Sequence, residues 1–148
     1  MTYIDLREAV LLLFLIIPVL YLNSLRKTLL LIDIKNRTIK PNYVWFMFIV
    51  FFNVYYHFKL VSSIATSLSN EFADRNIAID DKRPGETIGF INSIFFALWF
   101  INAYTKFDPV FINFILSLGA LITWIIYWVK IRKYKKILIL NNKTVNIL

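Results

Sequence analysis

The sequence predicts an all-α, multi-pass helical membrane protein with four hydrophobic helices, the last two forming a tight transmembrane hairpin. Three observations predict it. Of the 148 residues, 59% are hydrophobic and 18% aromatic, against roughly 45–50% apolar in soluble globular domains. The apolar residues are gathered into blocks of the length that a hydrocarbon layer about 30 Å thick selects, not spread as amphipathic stripes. The cations behind the formal net charge of +8 cluster beside those blocks, which makes anionic lipid headgroups, and not nucleic acid, their expected counter-charge. Cysteine is absent, so there is no disulfide framework, thiolate metal site or thiol nucleophile to consider.

The chain reads as a single integral membrane domain over residues 1–148, with hydrophobic blocks at about 4–22, 41–60, 88–104 and 109–129, a polar loop at 68–87 and a basic tail at 130–148. The first block is expected to be retained, because the N-terminus carries Asp5, Arg7 and Glu8 and Tyr21-Leu22-Asn23-Ser24 does not supply a small-x-small cleavage site. Pro18 is expected to kink it. From Ser24 to Asp33, Leu25, Leu29 and Ile32 share one helical face, the pattern of a helix lying along headgroups.

The second block opens with Pro41 at a helix start and runs through Tyr43-Val44-Trp45-Phe46-Met47-Phe48-Ile49-Val50-Phe51-Phe52. Beyond Leu60 it continues as a polar helix toward Asp74, with Glu71 and Arg75 at i and i+4. Pro84-Gly85 marks a turn before the third block. The third and fourth blocks are joined by Thr105-Lys106-Phe107-Asp108, in which Asp108 can cap a helix that begins at Pro109. Gly89, Ser93 and Ala97 recur at i+4 and face Ser117, Gly119 and Ala120 as a small-residue packing seam. In the tail, Asn141-Asn142 is a hairpin candidate within 137–148.

Orientation divides the sequence against itself. If all four blocks span, Arg7, Arg75, Lys82, Arg83 and the six tail cations share one side, 10 in all, against six on the other. If the second block dips in and returns, Arg26 through Arg83 and the tail place 15 cations on one face, against Arg7 and Lys106. The second count follows the positive-inside rule better. The first avoids irregular backbone at membrane depth, which survives only under cover of protein or water. Four spans are therefore the expectation, with a cytoplasmic basic tail.

Chemistry-bearing residues are sparse. His57 follows Asn53 by four residues and, with Asn92 and Asn113, could line a polar path. The blander alternatives are an interfacial anchor for His57 and helix-to-helix bonding for Asn92, Asn102 and Asn113. No second histidine completes a metal pair, and no carboxylate lies in the middle of a block. Asp80 and Asp81 are followed at once by Lys82 and Arg83 and read as a solvated loop. Lys130, Arg132, Lys133, Lys135 and Lys136 are expected at lipid headgroups, as topology determinants or as a docking site. Trp45, Trp99, Trp124, Tyr127 and Trp128 read as belt or packing aromatics. No catalytic, metal or cofactor-binding residue is expected, and no cofactor.

Lys27-Thr28-Leu29, Asn36-Arg37, Pro41, Val44-Trp45, Phe52-Asn53, Phe58, Ser67, Glu71-Phe72, Trp124-Ile125-Ile126-Tyr127-Trp128-Val129-Lys130-Ile131 and Tyr134 form a pattern over most of the chain. In it the chain resembles a family of small multi-pass inner-membrane proteins of Bacteroidota bacteria, with Asn42 and Val50 standing where that pattern has Gly and Pro. The resemblance implies a bacterial inner (cytoplasmic) membrane location and transfers no activity. The expected function is that of a non-catalytic accessory, assembly or scaffolding subunit that packs with another membrane protein or with itself. The alternative is a small homo-oligomeric channel or transporter subunit.

Overall fold

Among the described residues, two helices are long and apolar enough to cross a membrane, Glu86–Thr105 and Val110–Asn142. The computed structural model describes residues 6–105 and 110–145, with side chains from 16 to 105 and from 110 to 142. Within them the fold is all helical: α1 (Leu6–Leu30), a short 3-10 turn (Ile34–Asn36), a 3-10 segment (Pro41–Phe48), α2 (Phe52–Asp74), α3 (Glu86–Thr105) and α4 (Val110–Val145). The expected Asp108 cap, Pro109 and Lys106, together with Ile4 and Asp5, lie outside the described residues.

α1 is one helix from Leu6 to Leu30 that contains Pro18, so the stretch from Ser24 continues it and does not form a separate surface helix. The face of Leu25, Leu29 and Ile32 was correctly placed, but protein covers it. All three are buried in a core with Ile39, Val44, Leu60, Ile64, Leu68, Phe72, Tyr127, Ile131 and Leu138.

The second block is the larger departure. Residues 41–60 form no single helix. Pro41–Phe48 is a 3-10 segment, Ile49 is extended, and Phe51 takes a positive φ of 65° before α2 begins at Phe52. A bulky residue adopts that conformation only where the surroundings impose it. The Phe51 ring rests against Phe100 and Tyr104, with centroids at 5.6 and 5.4 Å. At a rise of about 1.5 Å per residue, Phe100 lies roughly 20 Å along α3 from Glu86. The chain therefore descends through 41–48, turns at 49–51 and climbs back along α2.

Both limbs of this excursion end at the same level. Thr38 N–H donates to Ser67 Oγ at 2.9 Å, its hydroxyl donates to Ser63 O at 2.8 Å, and Lys35 Nζ meets Asp74 Oδ1 at 3.0 Å. Residues 31–40 and the C-terminal end of α2 thus occupy one end of the molecule, where a spanning helix over 41–60 would have put them at opposite ends.

Around this unit, α1 packs on α4, α4 on α3, α3 on α2, and α2 on the 41–48 segment, which returns against α1. Burial is uneven. The last half of α1, α2 and the last third of α4 hold the core, whereas α3 and the first half of α4 expose Ile94, Leu98, Ile101, Phe111, Phe114 and Leu118. The hairpin expected at Asn141-Asn142 is replaced by helix to Val145. Leu138 is fully buried and Asn142 Oδ1 accepts from Arg75, so α4 remains anchored beyond its basic stretch.

Candidate functional site: the polar end and the interhelical seams

At the end where both limbs finish, a polar knot forms around Glu71, whose side chain is 1% exposed. One carboxylate oxygen pairs with Arg75, whose Nε donates to it at 2.7 Å. The other accepts from Asp33 N–H at 2.9 Å and from Asn36 Nδ2 at 2.7 Å. Arg75 also donates to Leu31 O at 3.2 Å and to Asn142 Oδ1. A single ion pair thereby ties the end of α1, the loop after it, α2 and the end of α4. Arg37 satisfies orphan carbonyls at the α1 terminus by donating to Ile32 O and Leu30 O at 2.8 and 3.2 Å. The sequence flagged the Glu71–Arg75 spacing, but not its burial or its partners.

Lys35 sits opposite Asp74, and that hydrogen bond, followed by Asn36, holds the Asp74 carboxyl below the ordinary carboxylate range. A second latch joins the loop before α3 to α4. Asp81 Oδ2 accepts from Lys130 Nζ at 2.8 Å, from Tyr134 OH at 3.1 Å and from Gly85 N–H at 3.1 Å. Partial burial pushes this carboxyl up, and the bonds from Lys130 and Gly85 more than offset it, leaving its pKa lowered. Gly85 itself has a φ of +79°, a conformation natural to glycine. Arg83, which follows the two aspartates, meets Glu86 at 2.9 Å and donates to Ser62 and Thr66 at 3.1 and 2.9 Å.

The packing seam is partly reassigned. A Cβ on Gly89 would lie 2.5 Å from Val61 of α2 and 2.9 Å from Tyr127 of α4, so Gly89 serves a three-helix junction. Ser93, fully buried, donates to Gly89 O at 2.9 Å. Gly119 admits the Phe95 ring, which a Cβ would approach to 2.5 Å. Ala97 and Ala120 are half-buried. Ser117 is exposed and stands outside the seam, because its position on α4 turns away from α3.

Asn92 and Asn113 each bond within the α3–α4 hairpin, whereas Asn53 and His57 lie on α2. Asn92 Oδ1 accepts from Thr123 Oγ1 at 3.2 Å, within the α3–α4 interface. Asn113 Oδ1 accepts from Asn102 Nδ2 at 2.7 Å, beside an open, largely apolar groove lined by Leu98, Ile101, Thr105, Ile112 and Leu116. Asn53 and His57 lie on α2, with the His57 ring 5.9 Å from Phe96 in an edge contact. Their Oδ1 and Nδ1 atoms are buried with no protein hydrogen-bond partner. Helix-to-helix bonding therefore accounts for Asn92, Asn102 and Asn113.

Of the five cations expected at headgroups, Lys130 is engaged by Asp81. Arg132, Lys133 and Lys136 are exposed, and Lys135 is half-buried. Trp45 stacks on Phe48 at 6.0 Å, and Trp124 and Trp128 pack edge-on against Tyr21 at 5.3 and 5.8 Å. Tyr127 is fully buried, and Trp99 is exposed on α3. Among the described residues no group of three or more His, Asp or Glu side chains is placed to hold a metal ion. No protein-family model, curated protein or solved structure matches the chain.

Proposed function

We propose that the chain is a multi-pass protein of a bacterial inner membrane, acting as a non-catalytic accessory, assembly or scaffolding subunit that packs against another membrane protein. In this arrangement α3 and α4 cross the bilayer, the apolar start of α1 runs beside α4, and 41–60 enters and leaves from the cytoplasmic side together with the basic tail. The observation that carries the proposal is the contrast between the two ends. One end is closed by the buried Glu71–Arg75 pair, by the more exposed Lys35–Asp74 and Lys130–Asp81 pairs and by hydrogen bonds. The other presents apolar side chains outward on α3 and α4, with Val110 84%, Phe111 70% and Phe114 64% exposed. Such a surface requires lipid or another apolar surface against it.

The 41–51 excursion meets the condition for irregular backbone at depth, since α1 and α2 pack on 41–48 while α3 covers the Phe51 turn. A role without catalysis is supported by the way Glu71, Asp74, Asp81 and Glu86 are each engaged by a cation. A homo-oligomeric channel or transporter subunit draws on one observation, the buried and unpartnered polar atoms of Asn53 and His57.

Purification of the tagged full chain from its native membrane in mild detergent, with mass spectrometry of co-eluting proteins, separates the two. A heteromeric membrane partner at fixed stoichiometry is the expected result. A homo-oligomer without companions contradicts the accessory role and favours the channel.

A further inference from the structure

The seam between α1 and α4 carries features that the packing of the protein leaves unexplained. The two helices run parallel, with Tyr21 beside Trp124 and Trp128 at one level and Arg75 bridging Leu31 O and Asn142 Oδ1 at another, so Lys27 on α1 and Arg132 and Lys135 on α4 all fall between these two crossings. On α4, Trp124, Trp128, Arg132 and Lys135 recur at intervals of four, four and three, which sets them in one stripe. At this end Asp81 is paired with Lys130, Glu71 with Arg75 and Asp74 with Lys35, Asp33 accepts from Lys35 N–H, and among the described residues no ion pair joins Lys27, Arg132 or Lys135. Lower in the same seam, Trp128 Nε1 and Tyr21 OH are buried and have no hydrogen-bond partner in the protein.

Three cations gathered without a counter-charge are disfavoured unless an anion joins them, and so is a buried N–H without an acceptor. We propose that this seam is a binding site for the phosphate headgroup of an anionic phospholipid, held by Lys27, Arg132 and Lys135, with Trp128 Nε1 donating to an oxygen of the headgroup or ester region. A lipid fits better than a soluble phosphate because the two helices continue below the cations as exposed apolar surface, through Ile16, Ile17 and Leu20 on α1 and Leu121, Ile125 and Val129 on α4. That surface is where acyl chains would lie. Basic pockets between helices at the cytoplasmic level are a recurrent way of holding anionic headgroups. The site rests on the membrane reading proposed above.

The test uses the delipidated full chain in detergent, titrated with short-chain phosphatidylglycerol or phosphatidylcholine, with the lipid-bound fraction read by native mass spectrometry. The expected result is a one-to-one phosphatidylglycerol complex that K27Q/R132Q/K135Q weakens about tenfold or more. K82Q/K133Q/K136Q, which removes equal charge from exposed positions at the same end, changes it less than about twofold. W128F, which removes the indole N–H while keeping an aromatic ring at that position, is expected to weaken the complex and keeps the test open if the triple variant does not accumulate. Equal loss in both triple variants, no preference for phosphatidylglycerol, or displacement by glycerol 3-phosphate at the lipid's own concentration would overturn the site. Release of the chain from membranes by alkaline carbonate alone would instead overturn the membrane reading.

Discussion

Gly89 stands where α2, α3 and α4 meet, and the space it leaves is already filled by Val61 and the Tyr127 ring. Neither neighbour can yield easily, since Val61 is β-branched and Tyr127 is fully buried. Gly89→Ala is therefore expected to destabilise the protein by about 1–3 kcal/mol through overpacking. Adding Val61→Ala should restore part of the loss, measured by unfolding in detergent. Additive losses would contradict the contact. The i+4 spacing of Gly89 and Ser93 was legible in the sequence, but a pattern on one helix does not name the helix that fills it, and Val61 was not foreseen. Glu71 makes the same point. Its spacing from Arg75 was visible, whereas its burial depends on Asp33 and Asn36, which reach it from 38 and 35 positions away.

The secondary-structure elements explain where hydropathy misleads. Tyr43 to Phe52 is apolar enough to resemble a span, yet a 3-10 segment and a positive-φ Phe51 interrupt it. Hydropathy measures what a segment can be buried against, not whether its backbone continues. In the same way Asn141-Asn142 resembles a turn, and its helical conformation comes from Leu138 and Arg75, both tertiary contacts. The α3–α4 pairing and the end of α2 at Asp74 were legible because periodicity and length fix them locally. At this scale the Asp81 latch gives a pH prediction. The folded-state pKa of Asp81 is lowered, so the latch stabilises the fold fully above the ordinary carboxylate value, near 4, and its contribution disappears as pH falls through the lower folded value. Asp81→Asn should cost about 1 kcal/mol at neutral pH, with the difference from wild type vanishing as pH falls through the lowered folded value. A difference that persists in acid would mean that the ionised carboxylate is not what holds Lys130.

At the scale of the whole molecule, the decisive relation is that residues 31–40, the end of α2 and the loop at 75–85 lie together. Cation counts are compatible with two topologies, and the need of irregular backbone at depth for cover weighs toward four spans. The sequence could not show that α1, α2 and α3 would supply it. With 41–60 as an excursion from one side, 15 of the 17 Lys and Arg residues share a face, which follows the positive-inside rule. The absence of cysteine makes the most direct test clean. Single cysteines at Ile34, which is 79% exposed, and at the exposed Lys82 would be probed in intact cells with a membrane-impermeant thiol reagent. Both are expected to be protected in intact cells and labelled once the membrane is opened. Labelling of Ile34→Cys from outside while Lys82→Cys stays protected would place the two loops on opposite faces and contradict the excursion.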